Sequence, residues 1–308
     1  MTHDHPAPPA RAVSRPFGRV LTAMVTPFTA EGSLDLDGAA RLASHLVDEQ
    51  GNDALVVNGT TGESPTTTDA EKAQLIRAVV EAVGDRAKVV AGVGTSDTRH
   101  TLELSAAAEK AGAHGLLVVT PYYSKPPQNG LLRHFTAVAD ATGLPVMLYD
   151  IPHRAGVAID TETMVRLAEH GRIVAVKDAK GDLTATSWVT ARTNLAFYSG
   201  DDSLTLPSLA VGGVGVVGTS THFTGALTKQ MIEAYDAGDT ATALNLHRRL
   251  MPLFTGIFRT QGVILVKAGL AAVGQPAGPV RAPLVDATDD EIAQLRADSA
   301  AAGVELPK

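Results

Sequence analysis

Residues 172–181 read RIVAVKDAKG. Four apolar residues, Ile173, Val174, Ala175 and Val176, lead directly into Lys177. The run is too short for a helix and too β-branched for a loop, so it reads as a buried parallel strand that delivers a lysine at its end. A lysine is costly to bury without a partner. Taken alone, the stretch favours a side chain leaning out past the sheet edge over a chemical role, and the other strand ends must decide between them.

Working outward, the same pattern recurs. Apolar runs at 20–26, 54–57, 89–93, 115–119, 145–149, 195–199 and 214–217 join 173–177 to make eight expected strands, each followed by helix-compatible sequence. Amphipathic spacing predicts helices over 37–49, 69–83, 98–111 and 130–141. The units recur roughly every 20–35 residues, as a chain does when it crosses back after each parallel strand, and eight of them close into an α/β fold of the (β/α)8 TIM-barrel type. An open doubly wound sheet gives no reason for the number eight. After residue 224 the strands stop, and 229–237, 240–251, 260–272 and 286–302 read as helices. The expected organisation is a disordered leader at 1–16, a barrel at 17–225 and a helical extension at 226–308 packed on the barrel.

Composition narrows the function. With 308 residues, 44% of them hydrophobic and 19% charged, the chain can bury a large core. A formal net charge of -7 and the lack of a lysine and arginine cluster argue against nucleic acid or an anionic membrane as partner, while small anionic substrates need only a local positive field. There is no cysteine, which excludes disulfides, thiol nucleophiles and thiolate metal sites, and fits cytoplasmic residence. The proline-rich start lacks the apolar segment of a secretory signal, and no apolar run reaches the roughly 20 residues that span a bilayer. The ten histidines show no metal-ligand spacing, His222 reads as a loop or core residue, and Trp188 reads as packing.

In a parallel barrel, chemistry collects at the C-terminal strand ends. Strand two ends in Asn58-Gly59-Thr60-Thr61-Gly62-Glu63-Ser64, where adjacent hydroxyls between glycines can donate to a carboxylate, or simply form a tight loop. Strand four ends in Thr120-Pro121-Tyr122-Tyr123, two of only five tyrosines, in a proline-flanked loop that suits a site or an oligomer contact. Strand five ends in Tyr149-Asp150-Ile151-Pro152-His153-Arg154. Alternation places Pro145, Met147 and Tyr149 on one side of strand five, and Ile173, Ala175 and Lys177 on one side of strand six. If both sets face inward, Tyr149 and Lys177 are neighbours, with Arg154 placed to clamp a carboxylate. Ser199-Gly200-Asp201 and Gly218-Thr219-Ser220, after strands seven and eight, are small enough to leave a pocket open. A neutral lysine amine attacks a ketone to form a Schiff base, which turns the adjacent methyl into an enamine nucleophile. A nearby phenol and hydroxyls can shuttle the protons this requires.

The segments GTTGESPTTT, TPYYSKPP, YDIPHRAG, VKDAKGD, YSGDD and GGVGVVG occur in the order and at the spacing of the dihydrodipicolinate synthase family, which the chain resembles from about residue 18 onward. The resemblance implies that Lys177 forms the Schiff base with pyruvate, that Tyr149 is the proton donor and that Thr60 and Tyr123 are its relay partners, Tyr123 reaching in from a neighbouring subunit. Thr61, Val217 and Gly200 match substrate-binding positions, and Arg154 matches the arginine that binds the carboxylate of L-aspartate 4-semialdehyde. The implied product is 4-hydroxy-tetrahydrodipicolinate, on the route to diaminopimelate and lysine. The implied protein is a homo-oligomer, a dimer of dimers, with no metal and no cofactor beyond the covalent imine. A sister aldolase or dehydratase acting on a keto-deoxy sugar acid would share Lys177 and Tyr149.

The chain departs from the family pattern at Asp150, Ala155 and Gly218, where asparagine, threonine and serine are frequent. At the positions of the family's lysine-feedback site stand Asp69, Lys72, Ser96 and His100, with Tyr122 retained, which predicts weak or absent inhibition by lysine. The glycines from Gly213 to Gly218 fit a dinucleotide fingerprint, but the expected strand lies inside the pattern instead of before it, so this reads as a decoy.

Overall fold

The computed structural model describes residues 14–306. In chain order the elements are β1 (Val20–Ala23), α1 (Leu36–Asp48), β2 (Ala54–Val57), α2 (Asp69–Val83), β3 (Lys88–Gly92), α3 (Thr98–Lys110), β4 (Gly115–Val119), α4 (Gln128–Asp140) and β5 (Val146–Asp150). Two short helices, α5 (Pro152–Ala155) and α6 (Thr161–Leu167), precede β6 (Ile173–Asp178), and α7 (Leu183–Arg192), β7 (Ala196–Ser199), α8 (Thr205–Ala210), β8 (Gly215–Gly218) and α9 (Thr221–Asp236) complete the alternation. The strands pair in parallel in sequence order, and β8 closes on β1, so the expected (β/α)8 barrel forms. The helices α10 (Thr240–Gly256), α11 (Gly262–Ala272) and α12 (Asp289–Ala302) make up the C-terminal extension.

The helix α2 illustrates how the sequence builds these units. Leu75, Ile76, Val79 and Val83 share its buried face, and each is worth about 1.5–3 kcal/mol when fully withdrawn from water. Its start is fixed by a reciprocal cap between Thr68 and Glu71, worth on the order of 1 kcal/mol. Inside the barrel, Leu21, Val56, Leu117, Met147, Tyr149, Ala175 and Tyr198 belong to one buried cluster, while Leu55, Leu148 and Val176 face the helices in another. Phe17 belongs to the interior cluster at the N-terminal mouth, where its backbone N–H donates to the Tyr198 hydroxyl at 3.3 Å and that hydroxyl donates to the Gly18 carbonyl at 3.0 Å.

Several expectations shift. The register between β5 and β6 slips between Val146 and Met147, so Val146 pairs with Ile173 but Met147 with Ala175. Ile173 therefore packs outward with Val146, while Val174, the residue left over at the slip, packs against the interior cluster that holds Ala175 and Met147. β6 continues one residue past Lys177 to Asp178. The helix expected at 229–237 begins at Thr221 and runs unbroken through residue 225; its first turns, rich in threonine and glycine, have weak helix propensity and form because they are buried. The helix α10 passes Pro252, where an interior proline costs about 3 kcal/mol, because Leu250, Leu253 and Phe254 are all buried on it. Trp188 is not a core residue: it is exposed on α7, with the Arg192 guanidinium 6.0 Å from its ring centroid. Residues 1–13 of the expected leader lie outside the described residues. Of its remainder, Arg15 donates to the Val214 carbonyl at 2.9 Å and pairs with Asp236 at 2.8 Å.

Candidate active site

Lys177 and Tyr149 are register partners on neighbouring strands, and both point into the barrel. Lys177 is only 6% exposed, with its Nζ 4.4 Å from the centroid of the Tyr149 ring. A cation over an aromatic face gains about 0.5–2 kcal/mol, which offsets only part of the cost of burial. The neighbouring carboxylates are turned the other way. Strand alternation sends Asp150 and Asp178 outward, where Asp150 accepts from the Ile159 N–H at 3.2 Å and approaches Lys180 Nζ at 3.5 Å, and Asp178 accepts from the Lys180 N–H at 3.0 Å. Burial pushes the Asp150 carboxyl up to about 6, against the pull of Lys180 and the Ile159 N–H, and burial likewise raises Asp178.

The hydroxyls come from the loop after β2. Turns closed by Gly62 N–H to Gly59 O and Glu63 N–H to Thr60 O, both at 3.1 Å, leave Thr60 and Thr61 at the cavity, and Thr61 Oγ1 lies 3.4 Å from Thr219 Oγ1. Thr219 is held by Asp202, a fully buried carboxylate that accepts from the Thr219 N–H at 3.0 Å, the Ser220 N–H at 3.2 Å and the Ser220 hydroxyl at 2.6 Å. His222 braces the same turn: Val25 N–H donates to its Nε2 at 3.2 Å, which places its proton on Nδ1, 2.8 Å from the Thr219 carbonyl. Burial lowers this imidazole to about 4, so it is neutral at physiological pH and serves as a core brace. Arg154 is presented by α5, a single turn that starts at Pro152 and is stopped by Gly156 at φ 80°.

These elements enclose a cavity of about 460 Å³ lined by Thr60, Thr61, Tyr149, Arg154, Lys177 and Gly200. Six residues chosen from sequence therefore converge. Val217 does not line it; that side chain is fully buried in the barrel interior beneath. Tyr123 does not line it either, and is 93% exposed with its backbone in the left-handed region at φ 72°. It borders a second cavity, about 620 Å³, which shares Thr60, Tyr149 and Arg154 with the first. That cavity also holds Asp69, paired with His100 at 2.9 Å, and Lys72, whose buried ammonium donates to the Thr67 carbonyl.

Sequence reasoning placed Thr219 only among the small residues that leave the pocket open, and did not foresee its hydroxyl beside that of Thr61. It also missed Phe254, Phe258 and Gln261, through which the C-terminal extension walls the first cavity. Nothing local in the sequence marks those three; only the packing of α10 and α11 over the barrel brings them there. Chemically, the cavity offers a buried amine beside a phenol, paired hydroxyls and a guanidinium for an anion. That set suits imine formation with a small keto acid.

Comparison with known proteins points the same way. Residues 16–302 match the profile described as "Dihydrodipicolinate synthetase family". The 4-hydroxy-tetrahydrodipicolinate synthase of Acidothermus cellulolyticus is 74% identical over 288 residues, which are 94% of this chain and 93% of that protein. A second enzyme of that name, from Streptomyces coelicolor, is 66% identical over 97% of this chain and 99% of its own. Among solved structures, that of DHDPS from Cyanidioschyzon merolae with lysine bound superposes with a TM-score of 0.92 at 44% identity, covering 94% of this chain and 99% of that one.

Proposed function

This chain belongs to the dihydrodipicolinate synthetase family, and from that premise we propose that it condenses pyruvate with L-aspartate 4-semialdehyde through an imine on Lys177, giving 4-hydroxy-tetrahydrodipicolinate for diaminopimelate and lysine synthesis. The observation that carries this reading is the buried pairing of Lys177 with Tyr149 inside a cavity that also holds Thr60, Thr61 and Arg154.

The neutral Lys177 amine attacks the pyruvate ketone, and the carbinolamine loses water to give the imine. Tyr149 donates and recovers the protons of these steps, with Thr60 as the next member of the relay. Thr61 and Gly200 hold the pyruvate carboxylate. Loss of a methyl proton gives the enamine, whose carbon bonds to the aldehyde carbon of the second substrate while its oxygen takes up a proton. The amine of that substrate then attacks the imine carbon, closing the ring and displacing Lys177. Arg154 binds its carboxylate bidentately. No external cofactor takes part, because the lysine itself supplies the electron sink.

Tyr123 of the partner subunit completes the relay. Its near-complete exposure in the single chain supports this. The functional unit is thus at least a dimer, within a dimer of dimers working in the cytoplasm. Among the described residues, no helix is long and apolar enough to cross a membrane. The chain divides functionally into a barrel that ends with α9 at Asp236 and an extension, α10 to α12, that roofs the site. The test is a direct assay with pyruvate and the semialdehyde alongside keto-deoxy sugar acids. Turnover of the first pair by orders of magnitude over the second is expected, and the reverse order contradicts the assignment.

A further inference from the structure

The loop that carries Thr60 and Thr61 ends in a residue that lines neither cavity. Glu63 is 2% exposed, and its backbone lies in the left-handed region at φ 55° without being glycine. Such a conformation costs on the order of 1 kcal/mol and persists only where surrounding contacts impose it. Those contacts come from the far end of the chain. Lys267 on α11, itself 3% exposed, places its Nζ 2.7 Å from Glu63 Oε1, and the Arg281 backbone N–H donates to Glu63 Oε2 at 2.8 Å. Lys267 Nζ also donates to the Pro279 carbonyl at 2.8 Å.

The clamp extends to both sides of the loop. Lys267 Nζ lies 4.2 Å and the Arg281 guanidinium 4.0 Å from the centroid of the Phe28 ring. Arg281 donates to the Thr66 carbonyl at 2.9 Å, to the Gly32 carbonyl at 2.8 Å and 3.0 Å, and to Glu71 at 2.6 Å. On the other side, Thr26 Oγ1 donates to the Gly62 carbonyl at 2.6 Å. Approach this close requires Gly278, whose φ is +67° and where a Cβ would fall 1.8 Å from the Phe28 carbonyl oxygen. A buried ion pair is seldom a net source of stability compared with an apolar pair of the same shape. Its direction and fixed length, by contrast, set geometry that apolar contacts leave loose.

We propose that the Glu63–Lys267 pair is a positioning device: the C-terminal extension uses it to hold the turn from Thr60 to Glu63 so that both threonine hydroxyls meet the substrate. The proposal rests on the roles assigned above to Thr60 and Thr61. Glu63 and Lys267 touch no reacting atom and act through those two residues.

The test compares E63Q, K267M and the double variant E63Q/K267M with the unaltered chain, measuring kcat and KM for pyruvate. Rates are normalised to the number of Lys177 sites that borohydride traps with pyruvate, so that misfolded protein is not counted. E63Q keeps the acceptor for Arg281 but leaves Lys267 unpaired, and is expected to lower per-site kcat and raise KM for pyruvate, each by about tenfold. The double variant contains no unpaired charge and folds even if E63Q does not. It is expected to recover thermal stability while per-site kcat remains depressed. Per-site constants equal to those of the unaltered chain in the double variant, whatever its stability, overturn the proposal. Failure to trap any site in the unaltered chain contradicts the reading on which the proposal rests, which distinguishes the two failures.

Discussion

Lys177 Nζ sits 4.4 Å from the centroid of the Tyr149 ring because the two residues are direct register partners on β5 and β6. One residue further along the same strands, Asp150 and Asp178 are partners too, on the opposite face. The two-residue period of a strand thus separates an amine and a phenol, facing the cavity, from two carboxylates facing the helices. A slip of one residue in either strand would put a carboxylate beside the amine.

Removing the phenol while keeping the ring tests the role of Tyr149. Y149F retains the face against which Lys177 packs and loses the proton donor. Turnover is expected to fall about a hundredfold or more, with the thermal midpoint little changed. Steady-state kinetics with a parallel melt check this, and turnover within about twofold of the parent contradicts the assignment.

Arg154 should discriminate between the two substrates. R154K keeps the charge but gives up the planar fork, so KM for the semialdehyde is expected to rise about tenfold or more. Borohydride trapping with pyruvate alone should be unaffected. Loss of trapping in R154K would place the arginine on pyruvate instead.

The Asp150 carboxyl, pushed up to about 6 by burial, makes a pH prediction of definite sign. A carboxyl raised in the folded state contributes stability that is present below its unfolded value near pH 4 and is lost as pH rises through about 6. D150N removes this titration, so its stability relative to the parent should improve from pH 4 to pH 7, read by urea unfolding. A difference that stays constant across that range contradicts the account. His222, lowered to about 4 by burial, has the opposite sign: its contribution is present above pH 6.5 and is lost as pH falls toward 4. An imidazole resonance of His222 that titrates above pH 6 contradicts its placement.

Lysine is expected to inhibit weakly or not at all. In the second cavity the buried Lys72 ammonium donates to the Thr67 carbonyl, and Asp69 is paired with His100 at 2.9 Å. A cationic amino acid would meet a resident cation and a carboxylate already engaged. Strong inhibition at sub-millimolar lysine in an activity titration would sink this prediction.

Much of this was legible because it is local. Eight short β-branched runs, each followed by a helical period, determine the barrel, and the residue that ends each run determines the ring of candidate groups. Strand parity alone brought Tyr149 and Lys177 together. What was not legible is what tertiary packing decides. The slip between Val146 and Met147 turns Ile173 outward with no mark in the sequence. The burial of Phe223 and Thr224 makes a helix of residues that disfavour one. The wall formed by Phe254, Phe258 and Gln261, like the ion pair from Lys267 to Glu63, joins segments about two hundred residues apart and follows only from how the extension docks.

The central claim is that Lys177 is the nucleophile, and trapping the imine tests it most directly. The protein is treated with borohydride in the presence of pyruvate, digested and mapped by mass spectrometry. The account predicts one reduced pyruvate adduct per chain, on the peptide containing Lys177, and none in K177R. An adduct on any other lysine, or none at all in protein that turns over substrate, would contradict it.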